Sequence, residues 1–306
     1  MRFSNLIATL CGAILLATLA APASAGEPGT AGFLSLRLGS GARAAGMGEA
    51  QISLADDATA VYWNPSGLAA IQGTSFSLQH SEWLSTIRIS SAAFGHATDF
   101  GVFGLSFSGM YMDEIPKVET ATGTTAGFFN VYEVSVAGAW AMRFREVWDV
   151  GIAVKGLNSK LDETSASGWA VDAGVRFHSA IEGLTFAAVA QHLGPDMTFI
   201  ADPFKLPATA RVGADYQREV AKHSDVVLAY DLELANDAKD PRNHFGLEYS
   251  YQKMLSLRAG YKTGFESQGA TFGAGLKRAG YSFDYAYIDI SNDLGNSHRF
   301  SLGIDL

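Results

Sequence analysis

Cysteine is almost absent. The one cysteine in 306 residues, Cys11, sits in an apolar run from Leu6 to Leu19 that follows the single cation Arg2. Ala23-Ser24-Ala25 before Gly26 completes the pattern of a secretory signal with a small-residue cleavage site over residues 1–25. A lipoprotein reading of Cys11 fails, because Leu10 before it is not small and the apolar run continues past it. The expected mature chain, Gly26 to Leu306, therefore has no disulfide to staple it and must be held by burial or by closing a sheet.

Other absences narrow the function. After the signal no apolar run reaches the roughly 18 residues of a membrane helix, so entry into a membrane has to be by strands. Positive charge is scarce, with 22 Lys and Arg against 31 Asp and Glu and a net charge of −9; no footprint for nucleic acid exists. His80, His96, His178, His192, His223, His244 and His298 show no metal spacing. His80-Ser81, His178-Ser179 and His223-Ser224 are adjacent only in sequence, a poor geometry for attack. No catalytic residue, metal or cofactor is expected, and the chain is not read as an enzyme.

What is present is alternation. From Thr74 onward bulky apolar residues recur with period two, as in Phe103, Leu105 and Phe107, or Phe245, Leu247, Tyr249 and Tyr251. The intervening positions are small or charged, as in Gly246, Glu248 and Ser250. A soluble sandwich or a solenoid would also alternate. Aromatics near strand ends, a Gly- and Ala-rich polar face and a signal peptide together favour a transmembrane barrel.

Segments start near Thr74, Ser85, Phe100, Asn130, Trp148, Gly168, Leu184, Pro207, Asp225, Asn243, Leu255, Ala270, Tyr281 and His298, which makes fourteen. Each strand with its connection has about 17 residues, enough for the roughly 9–11 that cross a bilayer. Connections alternate between short turns and longer loops such as Asp113 to Ala126 and Gly194 to Leu206, with both termini expected on the periplasmic side. The eighth, Gln217 to Ser224, is longer than this rule prefers.

Gly39 to Ala70, GSGARAAGMGEAQISLADDATAVYWNPSGLAA, lacks the alternation. Asp56 and Asp57 precede Ala58 to Trp63 as caps precede a helical turn, and Asn64-Pro65 repeats the device with Pro65 at the first helical position. A cation at Asp56-Asp57 is the other reading, but a calcium loop needs several more oxygens. Arg43 here, with Arg143, Lys155, Arg176, Arg211, Arg258 and Arg299 on the inward face, would meet Glu133, Asp172, Asp215, Asp231, Glu248 and Asp284. A mixed-sign wall pairs charges, whereas a selective pore carries one sign.

Two further features concern ligands. Ile115 and Val118 in the third connection, and Met197, Phe199, Ile200 and Phe204 in the seventh, are bulky where water is expected; they form either a binding surface or a cover for the barrel mouth. In the second strand the apolar phase slips across Ser90-Ser91, between Ile87 and Ile89 on one face and Ala92 and Phe94 on the other. A bulge there would offer a lateral opening, although an ordinary structural bulge is the simpler explanation of the pattern.

The motifs GARAAGMGEA and LADDATAVYWNPSGLA, with AAVAQHLGP, LPATARVGADY, FGLEY, LRAGY and the ending HRFSLGIDL, resemble the PorV/PorQ family of outer-membrane proteins, a branch of the FadL-like barrels. The resemblance spans nearly the whole mature chain. It implies an all-β fold, a fourteen-stranded antiparallel outer-membrane β-barrel over residues 73–306 with an N-terminal luminal plug, or hatch, over 26–72. Arg43, Asp56, Asp57, Asn64 and Pro65 are then hatch or ligand residues. Ser66 stands where FadL-like transporters usually have Ala after Asn-Pro, their long outer loops are scarcely present, and Leu306 replaces a terminal Phe. The implied function is passage of hydrophobic small molecules across the bacterial outer membrane, amid its lipid. The alternative is a type IX secretion barrel that docks exported proteins.

Overall fold

A computed structural model describes residues 30–83, 86–118, 123–290 and 295–306; the expected signal peptide lies outside them. The strands are β1 (Thr74–Trp83), β2 (Ile87–Thr98), β3 (Gly101–Met112), β4 (Ile115–Val118), β5 (Thr125–Phe129), β6 (Val131–Phe144), β7 (Trp148–Leu161), β8 (Thr164–His178) and β9 (Leu184–Leu193). They continue with β10 (Met197–Phe199), β11 (Asp202–Phe204), β12 (Thr209–Ala221), β13 (Ser224–Ala235), β14 (Arg242–Tyr251), β15 (Leu255–Thr263), β16 (Gln268–Arg278), β17 (Tyr281–Ile290) and β18 (Asn296–Asp305). Fourteen of these close an antiparallel barrel, in which β1 pairs with both β2 and β18. The remaining four form two separate hairpins, β4–β5 and β10–β11.

Period-two patterning sets the two faces of the wall. In β1 buried Ser75, Ser77, Gln79 and Ser81 alternate with exposed Phe76, Leu78, His80 and Glu82. Around the barrel most outward positions are large and apolar, with Leu105 58%, Trp169 55% and Leu257 65% exposed. A continuous apolar outer surface on this scale is not tolerated in water and matches the lipid-facing band of a membrane barrel.

The connections sort by end. β2–β3, β6–β7, β14–β15 and β16–β17 join by short turns at the end where Thr74 and Leu306 exchange backbone hydrogen bonds of 2.9 and 2.8 Å. The eighth connection belongs with them: β12 runs to Ala221 and β13 begins at Ser224, so the polar stretch from Gln217 is strand, not loop. At the opposite, loop end, the connection expected from Asp113 to Ala126 extends to Asn130 and carries the hairpin β4–β5, and the fifth connection, which the sequence pattern puts at Leu161 to Ser167, is only the turn between Leu161 and Thr164.

Residues 31–72 contribute no strand to the barrel. They form a 3-10 turn at Leu34–Arg37, helical turns at Ala42–Gly46 and Ala60–Trp63, and a second 3-10 stretch at Pro65–Ala70. Val61, Trp63, Leu68 and Ile71 pack on the small inward residues Ala137, Ala139, Ala141 and Ala153 and on Val102. The direction of travel departs from the expectation that both termini share the short-turn end. Gly32 N–H donates to the Lys205 carbonyl at 3.0 Å and Ala31 bridges Lys205, so the described chain starts beside the β10–β11 hairpin at the loop end and descends to Gly73. Phe33 and Leu36 pack there with Met197 and Leu206, which fixes the start by apolar burial.

The bulge expected at Ser90-Ser91 is absent. Pairing of β2 runs in unbroken register through both residues, to His80 and Gln79 on β1 and to Gly109 and Ser108 on β3. The phase slip has a side-chain cause: Ile87 and Ile89 turn inward and pack with Trp83, Met110, Ala45, Ile288 and Ile290.

Candidate functional site

The site is the contact between residues 39–70 and the inward face. Asn64 is fully buried with an extended backbone, φ −159°. Its Oδ1 accepts from Ser66 N at 3.2 Å and Ser66 Oγ at 2.7 Å, capping the 3-10 stretch, while its Nδ2 donates to the Ile52 carbonyl at 2.9 Å. Pro65 occupies the first helical position, where its missing N–H costs nothing. The pair fits the wall only because β7 and β8 carry glycine there. A Cβ on Gly174 would strike the Asn64 carboxamide, and one on Gly151 would strike the Pro65 backbone.

Arg43 links the segment to the wall. Its Nε lies 3.2 Å from Glu248 Oε2 and its Nη1 3.1 Å from Asp56 Oδ1. The Glu248 carboxylate holds the Arg43 guanidinium well above its usual range, even against burial. Asp57 accepts from Thr59 N–H at 2.8 Å and so caps the turn that leads into Ala60–Trp63. Burial and the neighbouring Asp56 charge push the Asp57 carboxyl up.

More bonds fix the segment than sequence reasoning named. Asp231 Oδ2 accepts from Gln51 N at 2.8 Å and Ile52 N at 3.1 Å. Arg176 donates to the Ala55 carbonyl at 2.7 Å and pairs with Asp149 at 2.8 Å. Gln191 donates to the Tyr62 carbonyl at 2.8 Å and Glu133 accepts from Ser35 N–H at 2.7 Å. Glu49, absent from the sequence-based candidates, lies 3.1 Å from Lys262 and 3.9 Å from Arg299, all three buried. Burial alone would raise the Glu49 carboxyl, but Lys262 and Arg299 hold it down at about 2. Its signal was available: Glu49 is the one acid between Gly39 and Ala55, and Lys262 shares inward parity with Arg258.

The two ends of this assembly differ in polarity. Toward the short turns a cavity of roughly 670 Å³ is lined by Arg43, Asp56, Asp57, Arg258, Lys277 and Asp305, among others. Toward the loops the inward wall turns apolar at Trp83, Ile89, Met110, Ile288 and Ile290. Of the six loop residues named from sequence, Met197 is buried, and Phe199 and Phe204 stack with centroids 5.4 Å apart against Phe33 and Leu36. Ile200 is 88% and Val118 59% exposed, with Ile115 half-buried. Ser90 faces outward beside His80, and Ser91 faces inward, its Oγ 3.0 Å from Ser40 Oγ.

The fold has solved relatives. The Pseudomonas putida toluene transporter TodX is 12% identical, over 87% of this chain and 96% of that chain, with a TM-score of 0.64. The Ralstonia pickettii toluene transporter TbuX is 14% identical over 87% and 97%, TM-score 0.60. A Pseudomonas aeruginosa FadL homologue is 10% identical over 87% and 98%, TM-score 0.55. At such identities the likeness is one of fold. No curated protein sequence matches the chain. Residues 14–181 match the model of an uncharacterised protein family, UPF0164, and the chain belongs to that family.

Proposed function

We propose that this chain is an outer-membrane channel of the PorV/PorQ branch that takes up hydrophobic small molecules, with residues 26–72 as a hatch across its lumen. The observation that carries the reading is the polarity gradient along the inner wall. The apolar patch of Trp83, Ile89, Met110, Ile288 and Ile290 faces the loop end, and the charged cavity faces the short turns. Ala42, Ala45 and Leu38 of the segment cover the patch, so burial of apolar surface drives capture there once they withdraw, and the Asn64-Pro65 turn is the barrier that a solute must pass. Solved proteins of this fold include two described as toluene transporters, which supports a small apolar cargo. The test is uptake of radiolabelled toluene into proteoliposomes. Uptake above that of empty vesicles, altered by Asn64→Leu, is expected; uptake equal to empty vesicles sinks the reading.

A second reading, docking of exported proteins in a type IX system, draws on the exposed loop-tip residues Val118, Phe128 and Ile200, at 59%, 60% and 88%. Loss of secretion on deletion, and its persistence when all three are replaced by Ser, would separate docking at these tips from any other secretion role.

A further inference from the structure

We propose that the outward wall holds a seat for one acyl chain of an outer-leaflet lipid, and that His80 recognises an oxygen substituent near the top of that chain. The proposal rests on the membrane placement argued above but not on any cargo in the lumen. A depression of roughly 450 Å³ lies on the outside of the barrel across β1, β2 and β18. Its floor is Ser90 and Ala92, which pair with outward His80 and Leu78. Its flanks are Phe107 on one side and Phe283 and Phe300 on the other. Small outward residues also occur singly at Gly138, Gly156, Ala259 and Ala274; here two consecutive outward positions of one strand are small, between phenylalanines on both sides, and leave a groove.

The upper end of the groove is polar. His80 Nδ1 and Ser90 Oγ are 3.0 Å apart, and the other ring nitrogen has no hydrogen-bond partner among the described residues. One outward position further along the same strands, Glu82 and Arg88 stand directly opposite each other. Arg88 also pairs with Asp113 at 2.5 Å and lies over the Tyr111 ring, which marks the polar boundary of the band. Two residues along a strand tilted by about 40° rise about 5 Å, so His80 lies about 5 Å below that boundary. An ionisable side chain at such a depth is costly unless it meets a partner.

The occupant follows from depth and polarity. The groove faces lipid, so it is filled by hydrocarbon. The free imidazole nitrogen needs an oxygen a few carbons below the headgroup. A chain hydroxylated or acylated at its third carbon supplies one, whereas the plain chain of a glycerophospholipid has only methylenes at that depth.

The test is native mass spectrometry of the full mature barrel released from nanodiscs. The discs contain equal amounts of a diphosphorylated glucosamine disaccharide with 3-hydroxyacyl chains and a phosphatidylethanolamine with plain chains. One retained 3-hydroxyacyl lipid is expected, preferred about ten-fold, as one buried hydrogen bond supplies. Ala92→Phe fills the floor and should abolish retention of both lipids. His80→Leu should erase the preference while a plain chain still binds. This variant adds no bulk to the floor, so it decides the matter if Ala92→Phe does not fold, as judged by heat-modifiable migration. Wild-type retention of neither lipid, a preference for the plain chain, or an unchanged preference in His80→Leu overturns the proposal. Toluene uptake by the same variants should equal wild type, so failure of the uptake reading leaves the lipid result intact and readable.

Discussion

Replacing Glu49 by alanine removes the one carboxylate that two buried cations share. Lys262 and Arg299 approach it at 3.1 and 3.9 Å, and both are buried. Breaking a buried ion pair by removing one partner costs roughly 3–5 kcal/mol, because the other charge is left uncompensated. Here Lys262 retains Gln268 and Arg299 retains the Gly39 carbonyl at 2.6 Å, which places the effect near the lower bound. About 3 kcal/mol is about a hundredfold in the equilibrium between seated and released segment. The readout is labelling of a cysteine by a membrane-impermeant maleimide in Met47→Cys, since Met47 has no exposed surface and Cys11 lies in the expected signal. Labelling about a hundredfold faster in Glu49→Ala, with the barrel still heat-modifiable, is expected. Glu49→Met with Lys262→Met should recover much of the loss, because a packed apolar pair can replace a buried ionic one. A rate within about threefold of the parent would refute the reasoning, since that is under 1 kcal/mol.

The same labelling, divided at each pH by the rate of a free thiol because only the thiolate reacts, should respond to pH in a defined window. The Glu49 carboxyl is depressed to about 2 in the seated segment, so its contribution is complete above the unfolded value of about 4.5 and is lost as pH falls through 2; acceleration that begins above pH 6 would assign the effect to another group. Gly174→Ala puts a methyl on the Asn64 carboxamide and should loosen the segment by about 1–3 kcal/mol, read as faster labelling. Leu257→Arg on the lipid face should destabilise the barrel in bilayers by about 2–4 kcal/mol, measured by urea unfolding in liposomes; no change would contradict the membrane orientation of β15. Ser40→Cys with Ser91→Cys should form a disulfide, because the two Oγ atoms are 3.0 Å apart. Toluene uptake should then fall on oxidation and return with reductant, and unchanged uptake would show that the segment need not leave β2.

The strands were legible because a barrel wall has only two environments. Outward positions in the band meet lipid and need bulk, while inward ones are small or polar to fit the segment and the charge network, so a period of two survives along the strands and all fourteen are readable from it. The pattern misled where a residue on one face had an unusual neighbour. Ile87 and Ile89 are apolar yet inward, because the loop end of the inner wall is itself apolar. Local alternation cannot distinguish that from an inserted residue; the register of β2 on both neighbours can. The polar run from Gln217 misled for the converse reason. Arg218 and Glu219 are paired strand residues beyond the apolar band, where charge no longer signals a loop.

The inner site was legible only in part, because its partners are distant in sequence. Asp57 and Asn64-Pro65 could be picked out since their capping bonds are local, spanning two residues for Asp57 to Thr59 and for Asn64 to Ser66, whereas Asp56 makes no such bond and pairs with Arg43. The contacts to the wall span far more, as from Gln51 to Asp231 or from Glu49 to Lys262. Inward parity lists the wall charges but not which of them reach the segment and which only pair with each other. Arg143, for instance, bonds Asp149 on the neighbouring strand, while Arg176 bonds both Asp149 and the Ala55 carbonyl. Glycine carries the missing information. A small residue at an inward position marks where the segment approaches the wall, as Gly151 and Gly174 do for Pro65 and Asn64. Charge says what the wall can hold, and the gaps in side-chain volume say where it holds it.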